Sequence, residues 1–536
     1  MKPDGTPTTL GSLCEQAAQR WPDQTAIRFD ADGQTLTFAQ LEQRSNQLAH
    51  ALLQLEIQPG DRVAVMAGNC PIFVLAWLAI GKIGAAMVPI NPSYRSADAS
   101  HLLNHAQVVL AVTDRASAPG LASLRSQVPS LRHHLVDDDL SSLLMSQPTT
   151  APGVLVLPSM LANIQFTSGT TGLPKGCMLS HRYWTQLGHM IAQQLVLLTP
   201  RDVMLTAQPF TYIDPQWNVA AALSSGATLV VLERFSPSRF WDKVVQHGVT
   251  FFYCLGAMPN LMLAQPIGAA ERTHHLRCVM CSGIPAQRHA ELEQRFGVSW
   301  YEVYGTTETG ADLMVWPSMG AELRGSGSVG VALPHREVRV ADESGQTLQP
   351  GAVGELQLRG TAMMEGYFRA PDATRLAFDL GWYHTGDLAR MDTHGHVTIV
   401  GRIKDMIRRS GENIAAAEVE AAISLHPKVR QVAVLPVPDS LRGEEVKAFV
   451  VLSDHADVSV DVLEEIAKFL LSRLARFKIP RYWEARDSLP LTPSERIAKH
   501  LLATEASCAN QYDRQAACAH DATPTNRQLN HAARSA

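Results

Sequence analysis

At 536 residues the chain exceeds what one hydrophobic core usually covers, so at least two domains are expected. With 46% hydrophobic and 18% charged residues and a formal net charge of -5, the composition is that of an ordinary globular protein and offers no basic footprint for nucleic acid. The polar start Met1-Lys2-Pro3-Asp4 lacks a signal-peptide core, no apolar run has the length of a membrane span, and eight cysteines are too sparse for a disulfide scaffold; a cytoplasmic location is expected.

From 9 to 114, helical and strand periodicities alternate. A helix opens at Leu10, residues 25–29 and 34–38 read as a hairpin, and 41–55 carries apolar residues at helical spacing. A buried strand at 62–66, a helix over 72–83, a strand at 86–90 and another at 110–114 follow, a pattern that implies a parallel sheet covered by helices. Residues 117–158 are less periodic, contain Asp137-Asp138-Asp139 and Ser-Pro-Thr turns, and are expected to be a linker.

The apolar run 164–166 then enters Thr167-Ser168-Gly169-Thr170-Thr171-Gly172-Leu173-Pro174-Lys175-Gly176. Glycines let backbone N–H groups approach an anion, the hydroxyls add donors and Lys175 adds charge, so this loop is suited to phosphate. It is not the common P-loop, because Leu173 and Pro174 separate Gly172 from Lys175. Strand patterns resume at 203–205, 227–232 and 249–253 as a second α/β layer, and the glycine-rich short strands of 325–399 read as a small twisted sheet or barrel. Cys278 and Cys281 form a C-x-x-C without a second pair at metal-finger spacing, and are taken as buried thiols. After Gly401 come a helix at 415–423, strands at 429–437 and 446–452, a helix at 460–475 and a strand at 482–485, an α+β pattern of ordinary domain size. The tail 506–536, rich in Gln, Asn and Ala, is expected to be disordered, and its two histidines and two cysteines are too scattered for a metal site.

Further motifs follow the loop in order: Tyr304-Gly305-Thr306-Thr307-Glu308-Thr309, Gly381-Trp382-Tyr383-His384-Thr385-Gly386-Asp387, Gly401-Arg402-Ile403-Lys404-Asp405, Ser410-Gly411-Glu412-Asn413-Ile414, and a last one from Leu489 to Lys499. A Gly-hydroxyl-acid cluster after a short apolar run fits a strand-end site for a metal-bridged phosphate, and Asp387 offers two acceptor oxygens suited to a diol. The uninterrupted string T-S-G-T-T-G-L-P-K-G together with these motifs resembles the adenylate-forming (AMP-binding) family, which contains acyl- and aryl-CoA synthetases, luciferases and the adenylation domains of peptide synthetases. The likeness runs from about 9 to 502.

That resemblance implies an α/β protein with a large N-terminal domain, 1–402, of two helix-covered α/β subdomains plus a small β-barrel, and a smaller mobile α+β domain, 403–505. It implies that Thr167, Ser168, Gly169, Thr170, Thr171, Gly172 and Lys175 cradle phosphate, that Tyr304 and Gly305 border the adenine site, and that Thr307 contacts the α-phosphate. Glu308 would help hold Mg²⁺, Asp387 would bind the ribose hydroxyls, and Arg402 the ribose or phosphate. Lys404 occupies the hinge about which the C-terminal domain would rotate between half-reactions, and Gly411 would line the tunnel for the pantetheine thiol. Tyr212 stands where the family often has the His of P-x-F-H and would be an aromatic gate to the acid pocket, which the region of Gly283 also lines.

The last motif departs from the family's L-P-x-T-x-S-G-K-I-x-K. Glu495 replaces the glycine and Arg496 the lysine that bridges the substrate carboxylate and the α-phosphate; Arg496 keeps the charge, but its planar fork is not a neutral replacement. A local shift that brings in Lys499 is the other way to fill that role. The implied reaction is that of an AMP-forming acid–thiol ligase: a carboxylic acid, ATP with Mg²⁺, and coenzyme A give an acyl-adenylate and then a thioester. The sub-family likeness is to carnitine- or betaine-type and medium-chain acyl-CoA ligases. Two alternatives stand beside it: an adenylating enzyme that loads a carrier protein or an amine, and a catalytically weak nucleotide- or acyl-binding homologue, motivated by Glu495-Arg496. Nothing in the sequence chooses between a monomer and a homodimer, and no nucleic-acid partner is expected.

Overall fold

The structure is a computed structural model, and it describes residues 8–167, 174–255, 257–284, 286–319, 322–410, 412–439, 441–453, 459–491, 497–504 and 512–514. The chain forms two compact units: Met1–Ala352, Leu356–Thr385 and Met391–Thr398 make the first, and Val353–Glu355, Gly386–Arg390 and Ile399–Ala536 the second.

The first unit contains a six-stranded sheet in the order His133–Val136, Leu110–Thr113, Arg62–Met66, Ala86–Pro89, Leu161–Thr167, Lys175–Ser180. Its first five strands run parallel and the last pair is an antiparallel hairpin. Val63, Ala64 and Val65 are fully buried, as a parallel strand with both faces covered requires. The helix Pro71–Lys82 starts with proline at its first position and buries every residue from Ile72 to Lys82. On the other face, Leu102, Leu103 and Ala106 of the Ser96–Ala106 helix pack with Ala64, Val88 and Ile164.

The segment 117–158 corrects the linker expectation. Its strand His133–Val136 pairs in parallel with Leu110–Thr113 and forms the edge of this sheet, between helices Ala118–Leu124 and Asp137–Met145. The first of these helices has only seven residues and includes Pro119 and Gly120, too short a stretch for a periodic signal.

A second sheet of the same unit has the order Trp300–Tyr304, Cys278–Ser282, Phe251–Leu255, Val203–Thr206, Thr228–Val231, Thr25–Phe29, Thr35–Thr37. All neighbours are parallel except the final hairpin. An aromatic core lies under it, with Trp241 stacked on Phe296 at 4.3 Å. Trp300–Tyr304 continues antiparallel into Leu313–Met314 and Ser328–Ala332, which begin the glycine-rich β segment. Cys278 and Cys281 share one strand three residues apart, so their side chains leave opposite faces and cannot chelate together.

In the second unit, Gly443–Leu452 pairs antiparallel with Val429–Asp439 and parallel with Tyr482–Ala485. Helices Ala416–Ser424 and Val460–Leu470 contribute Val419, Ile423, Leu463, Ile466 and Leu470 to its core. The latter helix is capped by Ser459, whose side chain accepts from Val462 N–H, and it ends at Leu470, short of the expected 475. Disorder throughout the tail is also corrected, at 512–514: Tyr512–Asp513 pairs with Tyr482–Ala485, Asp513 binds Arg481 and Arg514 binds Glu464, so two ion pairs and a strand ladder fix this piece. No helix among the described residues is long and apolar enough to cross a membrane.

Candidate active site

The hairpin Leu161–Thr167/Lys175–Ser180 sets Thr167 opposite Lys175. Ser168, Gly169, Thr170, Thr171 and Gly172, the rest of the expected phosphate loop, lie outside the described residues. Gly176 is required by packing, since a Cβ there would come within 2.7 Å of Ile164 Cγ2. On its outer edge the Lys175–Ser180 strand takes up the segment 364–368: Met178 N–H donates to Gly366 O at 2.9 Å, Phe368 N–H to Gly176 O at 2.8 Å, and Cys177 bridges Tyr367.

That segment brings together two residues far apart in sequence. Tyr367 O–H donates to Glu308 Oε1 at 2.9 Å, and the Lys175 ammonium stands 4.9 Å from the centre of the Tyr367 ring. Met364 N–H donates to Glu308 O at 2.7 Å, which ties the backbone of the glutamate to the same segment. Cys177 lies close by; its burial, with the Glu308 charge second, pushes the thiol well above its usual range.

Glu308 sits in a closed turn. Gly310 N–H donates to Thr306 O at 2.8 Å, Asp312 N–H to Tyr304 O at 2.9 Å, and Tyr183 O–H to Thr307 O at 3.1 Å. Gly305 admits no side chain, because a Cβ would lie 2.0 Å from Gly310 O. The turn is anchored from below by Asp312, which accepts from Thr309 Oγ1 and pairs with Arg336; both side chains of that pair are wholly buried. Arg336 also donates to Thr309 O and Thr361 O, so the buried guanidinium is hydrogen-bonded on several sides.

Gly283 ends the Cys278–Ser282 strand with φ +88°, and its N–H donates to Glu302 Oε1 at 2.6 Å while Ile284 N–H donates to Oε2 at 2.9 Å. Burial pushes the Glu302 carboxyl up to about 8 against the pull of those two donors. Glu302 lines a small cavity with Ile284, His289, Val315 and Arg324.

Tyr212 is the N-cap of helix Ile213–Ser225. The residues before it rest on a buried amide chain: Trp77 Nε1 donates to Asn163 Oδ1 at 2.8 Å, Asn163 Nδ2 to Gln216 Oε1 at 2.7 Å, Gln216 Nε2 to Phe210 O at 2.9 Å, and Gln165 Nε2 to Thr211 O at 2.6 Å. The strand that leads to the phosphate loop and the segment that leads to Tyr212 are thereby locked together. One turn into the helix, the Trp217 indole N–H donates to Asp214 Oδ1 at 3.4 Å, and Trp217 meets Tyr253 edge-to-face at 5.2 Å.

In the second unit Asp387, 4% exposed, accepts from Arg402 Nε at 2.8 Å. Lys404 is exposed in the short helix Ile403–Asp405. Gly411 and Arg496 lie outside the described residues. Lys499 is engaged by Glu420 at 2.8 Å and Asp405 at 3.4 Å. Among the described residues no group of three or more His, Cys, Asp or Glu side chains is placed to hold a metal ion.

Sequence reasoning missed Tyr367, Glu302, and the Asp312–Arg336 pair. Gly366-Tyr367 gives no periodic signal, although Gly366 marks a tight spot: its φ is +130° and a Cβ would sit 2.8 Å from Thr374 Cγ2.

The AMP-binding enzyme family matches residues 14–368, and the AMP-binding enzyme C-terminal domain matches 418–496. The crotonobetaine/carnitine–CoA ligase of Salmonella paratyphi B is 33% identical over 519 residues, 91% of this chain and 98% of that one. Among solved structures, the o-succinylbenzoate CoA synthetase of Bacillus subtilis, in complex with its acyl-adenylate intermediate, is 26% identical with a TM-score of 0.81. The fatty acyl CoA synthetase of Mycobacterium tuberculosis is 28% identical with a TM-score of 0.74. Each of these two likenesses covers 92% of this chain and 98% of the other. With both segments matched, and a 33%-identical relative followed along nearly its whole length, the chain belongs to the family of AMP-binding enzymes.

Proposed function

We propose that the protein is an AMP-forming acyl-CoA ligase that converts a carboxylic acid and ATP to an acyl-adenylate and pyrophosphate, then transfers the acyl group to the CoA thiol with release of AMP. The observation that carries this is the match along 98% of the length of a CoA ligase. The site chemistry agrees. Attack on the α-phosphate builds negative charge on the phosphate oxygens, which fixed cations must offset. Lys175 stands opposite Thr167 at the end of the hairpin ladder, with its ammonium over the Tyr367 ring.

The remaining roles follow the motif positions. Thr167, Ser168, Gly169, Thr170, Thr171, Gly172 and Thr307 hold phosphate, Tyr304 and Gly305 border the base, Asp387 and Arg402 hold the ribose, and Gly411 lines the path of the thiol. Arg496 takes the lysine's place at the reacting carboxylate. Glu308 fits a magnesium ion held mainly through nucleotide phosphates and water: it supplies one hard oxygen ligand, and such sites need only one or two carboxylates. When bound, that ion would neutralise charge on the phosphates. Six described cysteines are free thiols, in keeping with the reducing cytoplasm.

For the acid, a betaine-type carboxylate is the first class to try. It is what the Salmonella ligase is named for, and Asp214 beside Trp217 and Tyr253 pairs a carboxylate with aromatic rings, the combination that a quaternary ammonium group prefers.

The test is pyrophosphate release from Mg·ATP across betaine-type, medium-chain and aryl acids, each with and without CoA. Release with one acid class, accompanied by its CoA thioester, is expected. Adenylate formation with no thioester, or acyl transfer only to an amine or carrier protein, would overturn the assignment.

A further inference from the structure

We propose that Tyr367 is a positioning residue for ATP, fixing the Glu308 carboxylate through its hydroxyl and the Lys175 ammonium through its ring. This rests on the AMP-binding site assigned above. Three segments converge on the residue. Its backbone is bridged to Cys177 on the Lys175–Ser180 strand, its N–H donates to Thr374 Oγ1 at 2.9 Å, and the residue is buried, so backbone and ring are both held in place. Glycine precedes it because a side chain at 366 would collide with Thr374.

The hydroxyl spends its proton on Glu308 Oε1 and is itself hydrogen-bonded by Tyr383. One carboxylate oxygen is thus pinned, which fixes the direction of the other. The ring face meanwhile attracts the Lys175 ammonium, a flexible side chain that would otherwise sample many rotamers. A buried tyrosine usually finds some partner for its hydroxyl. Here the partner is the carboxylate of the Y-G-T-T-E motif, and the ring lies under the lysine of the phosphate-loop motif.

Calorimetric titration of Mg·ATP tests this in the full-length protein with four forms: wild type, Tyr367→Phe, Glu308→Ala, and the double variant. The single Tyr367→Phe change is expected to weaken ATP about tenfold, the size of one hydrogen bond to a charged group, with an unchanged unfolding midpoint. On the Glu308→Ala background the same change should cost less than about twofold, because the hydroxyl has lost its target. Wild-type affinity in Tyr367→Phe, or an equal loss on both backgrounds, overturns the proposal. Tyr383→Phe, which leaves Tyr367 in place, is the second variant: a smaller loss that also vanishes without Glu308 supports it, and a loss independent of Glu308 speaks against it. Nucleotide binding needs neither acid nor CoA, so this cycle is readable whether or not a thioester forms.

Discussion

Lys499 Nζ lies 2.8 Å from Glu420 Oε1, an atom that also accepts from Val434 N–H at 2.6 Å. Burial pushes the Glu420 carboxyl up, and the Lys499 ammonium is the first influence pulling it back. The lysine therefore ties the Ala416–Ser424 helix to the segment that follows Ile497, and its second carboxylate, Asp405, holds it there. Held by these two carboxylates, Lys499 is expected to act as a structural cation and not in place of Arg496. Lys499→Ala is expected to lower stability by about 1–3 kcal/mol, below the loss for a fully buried pair because both side chains are 21% exposed. Pyrophosphate release per folded molecule should stay within about twofold of wild type, whereas Arg496→Ala should lose roughly a hundredfold. Thermal unfolding beside the release assay separates the two; the reverse pattern would show that Lys499 is the working cation.

Asp387 and Arg402 give a second prediction. The aspartate is nearly buried, while the arginine side chain is 47% exposed, so their pairing contributes little to stability. Arg402→Ala should leave the unfolding midpoint almost unchanged and raise the KM for ATP several-fold. Asp387→Asn should raise it further, because an amide accepts at only one oxygen of the two. A drop in midpoint with KM intact would make the pair structural only.

The sequence exposes some of this plainly. Lys175, Glu308, Asp387 and Arg402 stand in short ordered strings, and their residue types match the chemistry of a nucleotide without help from the fold. The parallel strands 62–66 and 86–89 are equally visible, because strands buried on both faces are almost purely apolar. Tyr367 is different: its importance arises only when strand 175–180, the turn at 308 and the segment 364–368 meet, and none of these contacts has a local signature. Asp312 and Arg336 are 24 residues apart in different elements, and nothing in either neighbourhood announces a buried ion pair. The strand His133–Val136 was hidden for another reason, since an edge strand with half-exposed residues and histidines lacks the apolar run of its neighbours.

Asp214 separates acid classes. If it faces the cationic group of a betaine-type acid, Asp214→Asn should raise the KM for that acid about tenfold, the effect of losing roughly 1.4 kcal/mol of charge pairing. Uncharged medium-chain acids should be unaffected or slightly favoured, since no carboxylate then needs to be kept solvated. Steady-state thioester formation with both acids on both proteins decides it; an equal rise for each would mean that Asp214 only holds Trp217 in place.

His181 makes a prediction about pH. It opens the helix His181–Met190, directly after the strand that begins with Lys175, and its Nδ1 accepts from Leu10 N–H at 3.2 Å, which pins the N-terminal helix to this element. Gly81 is packed against the ring, and Nε2 has no partner among the described residues, so a charge here would be unsolvated. Burial lowers its pKa from 6.5 to about 4. In the unfolded chain the imidazole takes up a proton as pH falls below about 6.5, while the native one resists until about 4, so over that window the unfolded state binds more protons. The stability contributed by the neutral histidine is therefore complete above the ordinary pKa and is lost as pH falls, by about 3 kcal/mol on reaching the lower value. His181→Asn keeps an acceptor for Leu10 N–H but cannot titrate. Urea unfolding of both proteins between pH 7.5 and 4.5 should show the wild type losing its advantage steadily below about 6.5; parallel curves for the two would mean that the buried ring is protonated without penalty.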